Sequence, residues 1–517
     1  MDPRCAGKGR TIRRRRTAIL ISAVLLVTGC HAARPRITLP PAVSDPAVQA
    51  RVLPVVPETA PPAASDPADP LPSPADGPFL VSLDEAIGFA LQNNPRLREA
   101  AARVEAAQAG VEIAFAPFLP EAGAHLRASD FSVPVLPAAN FVPASLNGGV
   151  TSFSFAEAGV QWTLYDFGRT GGRYGQAVSQ ASIEKLGLQR ARQTIAFEVS
   201  RAYFQVLFAQ ANRRVREQAV RLAESVLKDT KARRAAGVAD PEMVLRAEVE
   251  VSTAREELVG ARQLVLDAVS TLNLALGRPA ALPVQVRDVT SRPTFAQSLE
   301  EALQQAVTKR PEVDMGRQAV AGAAYGEKVA RGNLLPKIYV RGTVLGITSN
   351  GPLNGWLSGA GLHVDQPLYD GGRYRAEIRR QRAQVAGAIA ALQTMLDNIG
   401  QQVNLAYQAI ATQQERIRLG ETTVTQSSEN LRLTLVKYNN GNATPTDVVD
   451  AQTALTRAQT RYFSAVYEYL EGLARLEYAQ GGNQSNLVGQ LRQEPAEKSQ
   501  EETLPEPRTA PSEPRPE

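Results

Sequence analysis

Along residues 153–165 the side chains alternate. Ala156, Ala158, Val160, Trp162 and Leu164 fall on one face; Glu157, Gly159, Gln161 and Thr163 fall on the other. Residues 356–368 repeat the pattern, with Trp356, Ala360, Leu362, Val364 and Leu368 against Gly359, Gly361, His363 and Asp365. Period two with one apolar and one polar face predicts strands half-covered by a core or by lipid. Preceding partners at about 121–131 and 337–346, joined through turn-rich tips such as Ser349-Asn-Gly-Pro352, make each pair a hairpin. Elsewhere the period lengthens. Helices are predicted over 82–116 and 298–331, broken near Pro95 and Pro311. The proline-free stretches from Arg169 to Arg234 and from Arg373 to Tyr438 predict helices of about 100 Å. Their apolar seams, Ile195, Val199, Ala202, Val206 and Ile399, Val403, Ala406, Ile410, carry the heptad-like spacing of side-by-side helices.

The chain is therefore written twice. Ser82-Leu-Asp-Glu-Ala-Ile returns as Ser298-Leu-Glu-Glu-Ala-Leu at an offset of 216, and Leu164-Tyr-Asp-Phe-Gly-Arg169 as Leu368-Tyr-Asp-Gly-Gly-Arg373 at 204. The difference places a 12-residue indel between Pro120 and Leu164. The long helices end at Gly237 and Gly441, and new helices start at once through Asp240-Pro241-Glu242 and Thr444-Pro445-Thr446-Asp447. Glycine past the end of one helix and a cap-proline pair opening the next predict sharp reversals. Return helices to Leu276 and Leu476 are about half as long as the outgoing ones. A return helix and an opening helix can thus stack end to end beside one long helix. Four strands cannot close a membrane barrel, so the open edges require other copies of the chain.

Composition changes the picture mainly at the ends. The net charge of +5 is carried by residues 1–29, which hold seven basic side chains and one acid; the remainder has 50 basic against 51 acidic groups. That balance excludes a nucleic-acid partner. Four arginines precede an apolar run at 18–27 that is too short to span a bilayer, and Val27-Thr28-Gly29-Cys30 follows. This is similar to a bacterial lipoprotein signal peptide, which implies cleavage after residue 29 and a covalent lipid (palmitate among its acyl chains) on Cys30. His31 rather than aspartate follows Cys30, favouring the outer membrane. Residues 30–79 read as a Pro/Ala-rich tether, with thirteen prolines in 31–78, and residues 482–517 as a disordered acidic, Pro-rich tail. Between them lie two repeats, 80–281 with its hairpin at about 121–165 and 282–481 with its hairpin at about 336–368.

This order of parts, the Pro367-Leu-Tyr-Asp-Gly-Gly-Arg373 run and the glycine turn before Asp447-Val-Val-Asp450-Ala-Gln resemble the TolC-like outer-membrane efflux protein family, lipoprotein subgroup. The resemblance covers roughly residues 80–481. It implies a mainly α fold with a small membrane β part: a homotrimer whose 12-stranded β-barrel continues into a 12-helix α-barrel tunnel. It implies an outer-membrane exit duct for solutes, with a periplasmic adaptor and an inner-membrane transporter as partners and no cofactor. A channel for type I protein secretion is the alternative within the fold, and a structural periplasmic coiled-coil lipoprotein the alternative outside it.

Asp447 and Asp450, three apart at the start of the return helix, form the candidate periplasmic gate; three copies would set six carboxylates around a pore that favours cations. They also suit a helix N-terminus simply as acids. Met243 and Arg246 stand at their places in the first copy, and Ala443 where some relatives carry a gating arginine. Gly237, Val238, Gly441 and Asn442 resemble the family's adaptor-contacting tips, although tight turns alone explain the glycines. Asp166, Gly168, Asp370, Gly371 and Gly372 read as barrel-to-tunnel hinges; their glycine phase is not that of a phosphate-binding loop. The three histidines, His31, His125 and His363, are scattered, and no nucleophile elbow, P-loop or Cys/His metal spacing occurs, so no enzyme chemistry is expected.

Overall fold

The computed structural model describes residues 79–132, 150–289, 292–349 and 354–493. The leader, Cys30, the tether, the hairpin tips and the tail from 494 lie outside the described residues. The first copy runs β1 (Phe79–Val81), α1 (Leu83–Asn93), α2 (Pro95–Phe115), β2 (Glu121–Ser132), β3 (Val150–Tyr165), α3 (Arg169–Ala235) and α4 (Pro241–Leu276). The second runs β4 (Val284–Val286), α5 (Leu299–Lys309), α6 (Pro311–Gly332), β5 (Lys337–Ser349), β6 (Gly355–Asp365), α7 (Arg373–Asn439) and α8 (Pro445–Ala479), followed by α9 (Ser485–Gln493).

Local chemistry sets the boundaries. Ser82 and Ser298 each close a capping box, with Glu85 and Glu301, and Pro95 and Pro311 each open the following helix. Both long helices have 67 residues. The predicted seam residues Ile195, Val199, Ala202 and Val206, with Ile399, Val403, Ala406 and Ile410, are all buried in one core cluster. A second seam joins α3 to α4 through Val220, Ala223, Val251, Ala254 and Leu258.

The end-to-end stacking is present in both copies. Gly277 ends α4 at φ +78 against the break between α1 and α2: a Cβ there would sit 3.0 Å from Asn94 Cα, and Asn94 Nδ2 donates to the Ala275 carbonyl at 2.9 Å. Gly481, at φ +84, meets the break between α5 and α6, where a Cβ would lie 2.8 Å from the Lys309 oxygen. Both positions need glycine twice over, for the left-handed backbone and for the close approach.

The four long strands form one antiparallel sheet in the order β2-β3-β5-β6. Its register carries the alternation across all four strands. Ala122, Val160, Gly342 and Ala360 share one row, and Ala124, Ala158, Val344 and Ser358 the next. Rows on the opposite face include Glu121, Gln161, Arg341 and Gly361, then Gly123, Gly159, Thr343 and Gly359. Val160, Trp162, Val344, Leu362 and Val364 remain exposed on the apolar face, the arrangement of a sheet that meets lipid.

Three features depart from the sequence reading. Strand β6 stops at Asp365, not Leu368; Pro367 has no amide to donate, and Gln366 Nε2 turns back to the Leu334 carbonyl at 3.1 Å. Leu368 therefore belongs to no strand face. The ordered chain also passes the 481 boundary: α9 follows, with Leu487 and Val488 buried, because Glu477 caps it by accepting from the Asn486 and Leu487 amides at 3.1 and 2.9 Å. Finally, β1 and β4 pair in parallel, Phe79 with Val284, and the Tyr203 hydroxyl donates to the carbonyls of Val81 (3.2 Å) and Arg287 (2.6 Å). Ile410 lies fully buried at the α7–α8 seam. Ile410→Ala should cost about 2–5 kcal/mol, read as a lower thermal midpoint of helical circular dichroism.

Candidate functional site

At the tips, α3 and α7 both end in the same turn. Gly237 N donates to Arg234 O at 2.9 Å and Val238 N to Arg233 O at 2.9 Å; Gly441 N donates to Tyr438 O at 3.1 Å and Asn442 N to Lys437 O at 2.8 Å. Each satisfies the last helical carbonyls through a left-handed glycine. Val238 is left exposed at one tip.

The return helices open differently. Thr444 and Asp447 form a reciprocal box: Thr444 N donates to Asp447 Oδ2 at 2.8 Å, and Asp447 N to Thr444 Oγ1 at 3.3 Å. Those bonds, from the Thr444 backbone first and its hydroxyl second, hold the Asp447 carboxyl below its ordinary pKa. Asp447 is thus a helix cap whose carboxylate is also exposed, while Asp450 is exposed without a capping role. Asp240 occupies the equivalent cap position in the first copy, yet its side chain makes no capping bond. Arg246, at the place of Asp450, pairs with Glu242 at 2.6 Å.

The structure adds one group to this end and gives a second its partners. Glu250 on α4 has its carboxyl pushed up by burial first, then by Glu257 and by Asp450. An acidic group therefore spans both return helices. The second is Tyr438, which is buried between Val226 and Val448. Its hydroxyl lies 3.0 Å from Thr230 Oγ1, and the Arg233 guanidinium sits 4.3 Å from its ring centroid and donates to its carbonyl at 2.8 Å. A buried hydrogen bond and a stacked cation thus tie the end of α3 to the end of α7. Ala443 packs at the margin of this cluster. Above the tips, Arg216, Glu250, Glu257, Thr456, Arg457 and Arg461 line part of a cleft of about 520 Å³ among α3, α4 and α8.

At the other end, both aspartates of the hinge segments act as caps. Asp166 accepts from the amides of Gly168 (3.2 Å) and Thr170 (2.7 Å); Asp370 accepts from those of Gly372 (3.0 Å) and Tyr374 (2.6 Å). Gly168 and Gly372 both adopt a left-handed backbone, and so does the residue before each. In the second copy that residue is Gly371; in the first it is Phe167, at φ 55, an unfavourable conformation for a bulky side chain. Phe167 packs against Tyr165 at 4.7 Å. Phe115, Phe118 and Tyr174 cluster nearby at 5.4–6.1 Å, and Trp162 Nε1 donates to the Phe118 carbonyl at 3.0 Å. Aromatic rings with a polar handle at the end of an apolar sheet suit a membrane–water boundary.

Among the described residues there is no group of three His, Cys, Asp or Glu that could hold a metal, and no helix is long and apolar enough to cross a membrane. A sheet with two open edges joined by capped turns to paired long helices is the unit of a channel wall. Residues 86–278 and 302–482 match the outer membrane efflux protein family, and the chain belongs to it. It is similar to the pyoverdine export outer membrane protein OpmQ of Pseudomonas aeruginosa, 27% identical over 426 residues that cover 80% of this chain and 88% of that one. It is 23% identical to the outer membrane efflux protein BepC of Brucella suis over 336 residues, 63% of this chain and 72% of that one. Its fold is that of the outer membrane protein VceC of Vibrio cholerae, at a TM-score of 0.66 and 20% identity over 77% of this chain and 96% of that one. The chain is an outer-membrane channel of an efflux system.

The raised Glu250 carboxyl makes a pH prediction with a fixed sign. A folded-state pKa above the unfolded value penalises the ionised form. The penalty is fully present above the folded pKa, is relieved as pH falls through it, and is gone below the unfolded carboxylate range. Glu250→Gln should therefore raise the thermal midpoint at pH 7, and the advantage should shrink towards zero by about pH 4.

Proposed function

We propose that the protein is a passive exit duct, a homotrimer anchored in the outer membrane by lipid on Cys30 and serving a tripartite pump. The observation that carries the reading is the four-stranded sheet. Its apolar face is continuous across all strands and both its edges, β2 and β6, are open. Three such sheets supply twelve strands, enough to close a barrel with the Glu121–Gln161–Arg341 face inward. A coiled-coil spacer would have no use for such a sheet. The hinge residues Asp166, Gly168, Asp370, Gly371 and Gly372 turn the chain from barrel into tunnel. The exposed tips at Gly237, Val238, Gly441 and Asn442 meet the adaptor, which links the duct to an inner-membrane transporter. A relative named for pyoverdine export favours small solutes over secreted proteins as the cargo.

At the periplasmic mouth Asp447 and Asp450, joined by Glu250, form an acidic ring that concentrates cations. In place of an ion-pair lock, the Thr230–Tyr438 hydrogen bond and the Arg233 stack hold the two long helices together. Removing one such bond shifts a closed–open equilibrium by about 1 kcal/mol, or about five-fold.

Purified protein should migrate as a heat-modifiable trimer and conduct ions in planar bilayers; a monomer without conductance sinks the channel reading. Asp447→Ala and Asp450→Ala should each lower cation selectivity, and unchanged selectivity in both would remove the acidic ring. Tyr438→Phe should raise the open fraction about five-fold, seen as more frequent openings in single-channel records.

A further inference from the structure

The two long helices are unequally covered. Helix α3 packs against α2 and α4 of its own copy and against α6 and α8 of the other; the principal neighbours of α7 are α5, α6 and α8. The extra contacts of α3 begin at Arg169. Its Nε donates to the Gly332 carbonyl at 2.8 Å, and its guanidinium also donates to the Leu335 carbonyl, so it grips the turn that ends α6. One turn along, Gly172 receives Val329, with a Cβ there 2.6 Å from Val329 Cγ2, and Gly175 receives the Tyr325 ring at 2.7 Å.

The repeat supplies every one of these groups a second time. At offset 204 Arg169 becomes Arg373, Gly172 becomes Ala376 and Gly175 becomes Arg379. At offset 216 Gly332 and Leu335 become Ala116 and Leu119, Val329 becomes Ile113 and Tyr325 becomes Ala109. The gripped turn has the same geometry in both copies: Leu335 N donates to Gly332 O at 3.0 Å, and Leu119 N to Ala116 O at 2.9 Å. Bulk is exchanged in a complementary way, small Gly175 facing large Tyr325 in one pair, large Arg379 facing small Ala109 in the other. Within one chain, however, the second set is not assembled. Among the described residues the Arg373 guanidinium meets its neighbour Tyr374, 4.9 Å from the ring centroid and donating to its hydroxyl at 3.2 Å, and Ile113 is 73% exposed. The return helices show the same contrast: Leu470 of α8 is 1% exposed, while its counterpart Leu266 of α4 is 62% exposed. Tyr478 stacks on Phe197 at 4.9 Å, while its counterpart Leu274 is 68% exposed. The polar group differs between the copies: Arg190 pairs with Glu312 at 2.6 Å beside Gln193, whereas the counterparts are Thr394, Arg96 and Asp397, with Arg96 held by Glu198 at 2.7 Å.

We propose that Arg373 closes the ring between neighbouring copies of this chain. Its guanidinium donates to the Ala116 and Leu119 carbonyls of the next copy, repeating between chains the grip that Arg169 makes within one. Helix α7 then covers Ile113, Leu266 and Leu274 of that copy. The same operation pairs β6 with β2 of the next copy, in a register that carries Gln161↔Arg341 onto Asp365↔His125. The inference rests on the ring assembly proposed above and adds its register and its residues.

The test is an oxidised full-length Ile113→Cys/Ala376→Cys protein in outer membranes. Covalent dimers and trimers should form on a non-reducing gel, at least ten-fold above either single variant and above the parent, whose Cys30 carries the lipid. Arg373→Ala should weaken trimers about ten-fold or more in a detergent dissociation series, and Arg373→Lys, able to reach one carbonyl, should lose less. A protein trimeric by mass that forms no crosslink in the double variant overturns this register and leaves the ring standing. A monomer by mass overturns both.

Discussion

Every part of this molecule answers to one constraint: a strand edge facing hydrocarbon cannot leave its amides and carbonyls unpaired. One hairpin has two bare edges. Pairing β3 with β5 through the duplication buries two of them but leaves β2 and β6 open. No length of strand repairs this; only closure does. The alternation must also stay in phase across all the strands, because a slip of one residue would turn Trp162 and Leu362 inward and Glu157 and Arg341 towards lipid. Capped turns at Asp166 and Asp370 then join the sheet to the long helices.

The copies keep their shared geometry where the wall needs it and diverge where they meet different neighbours. Asn273 and Glu477 occupy equivalent places at the ends of the return helices. Asn273 donates to the carbonyls of Ala280 and Leu282 and leads the chain into β4, whereas Glu477 accepts two amides and starts α9. Burial pushes the Glu477 carboxyl up even though those amides oppose it. The Arg190–Glu312–Arg310 group is a comparable divergence: Arg310 is buried, its partner Glu312 accepts at 2.7 Å, and burial draws the Arg190 guanidinium down. A buried cluster of this kind contributes position more than stability, since desolvation offsets much of the attraction.

At the tips the divergence is electrostatic. The second copy presents Asp447 and Asp450, and the first answers with Arg246 bound to Glu242 and with Glu250. Like charges gathered near Glu250 oppose the close packing of α4 and α8, while Tyr438, Thr230 and Arg233 hold the end of α3 to the end of α7.

The sequence alone determined what acts within a few residues. Helix breaks at Pro95 and Pro311, the cap-proline pairs, the reversals at Gly237 and Gly441, the strand alternation and the heptad-like seams are all local, and each was legible twice. The need for further copies followed from counting strands. Tertiary structure decided the rest. Three-residue strands carry no period, so the Phe79↔Val284 pairing across some two hundred positions left no local trace. In the sequence Tyr438 only marks the end of a long helix, because its partner, Thr230, lies on the other one. Glu250 stands out only because α8 brings Asp450 near it. Phe167 gave no sign of its left-handed backbone, since its copy-two counterpart is a glycine that adopts it freely. Periodicity and capping are written in the residues that carry them; a hydrogen bond or a charge–charge contact exists only once the fold has brought distant residues together.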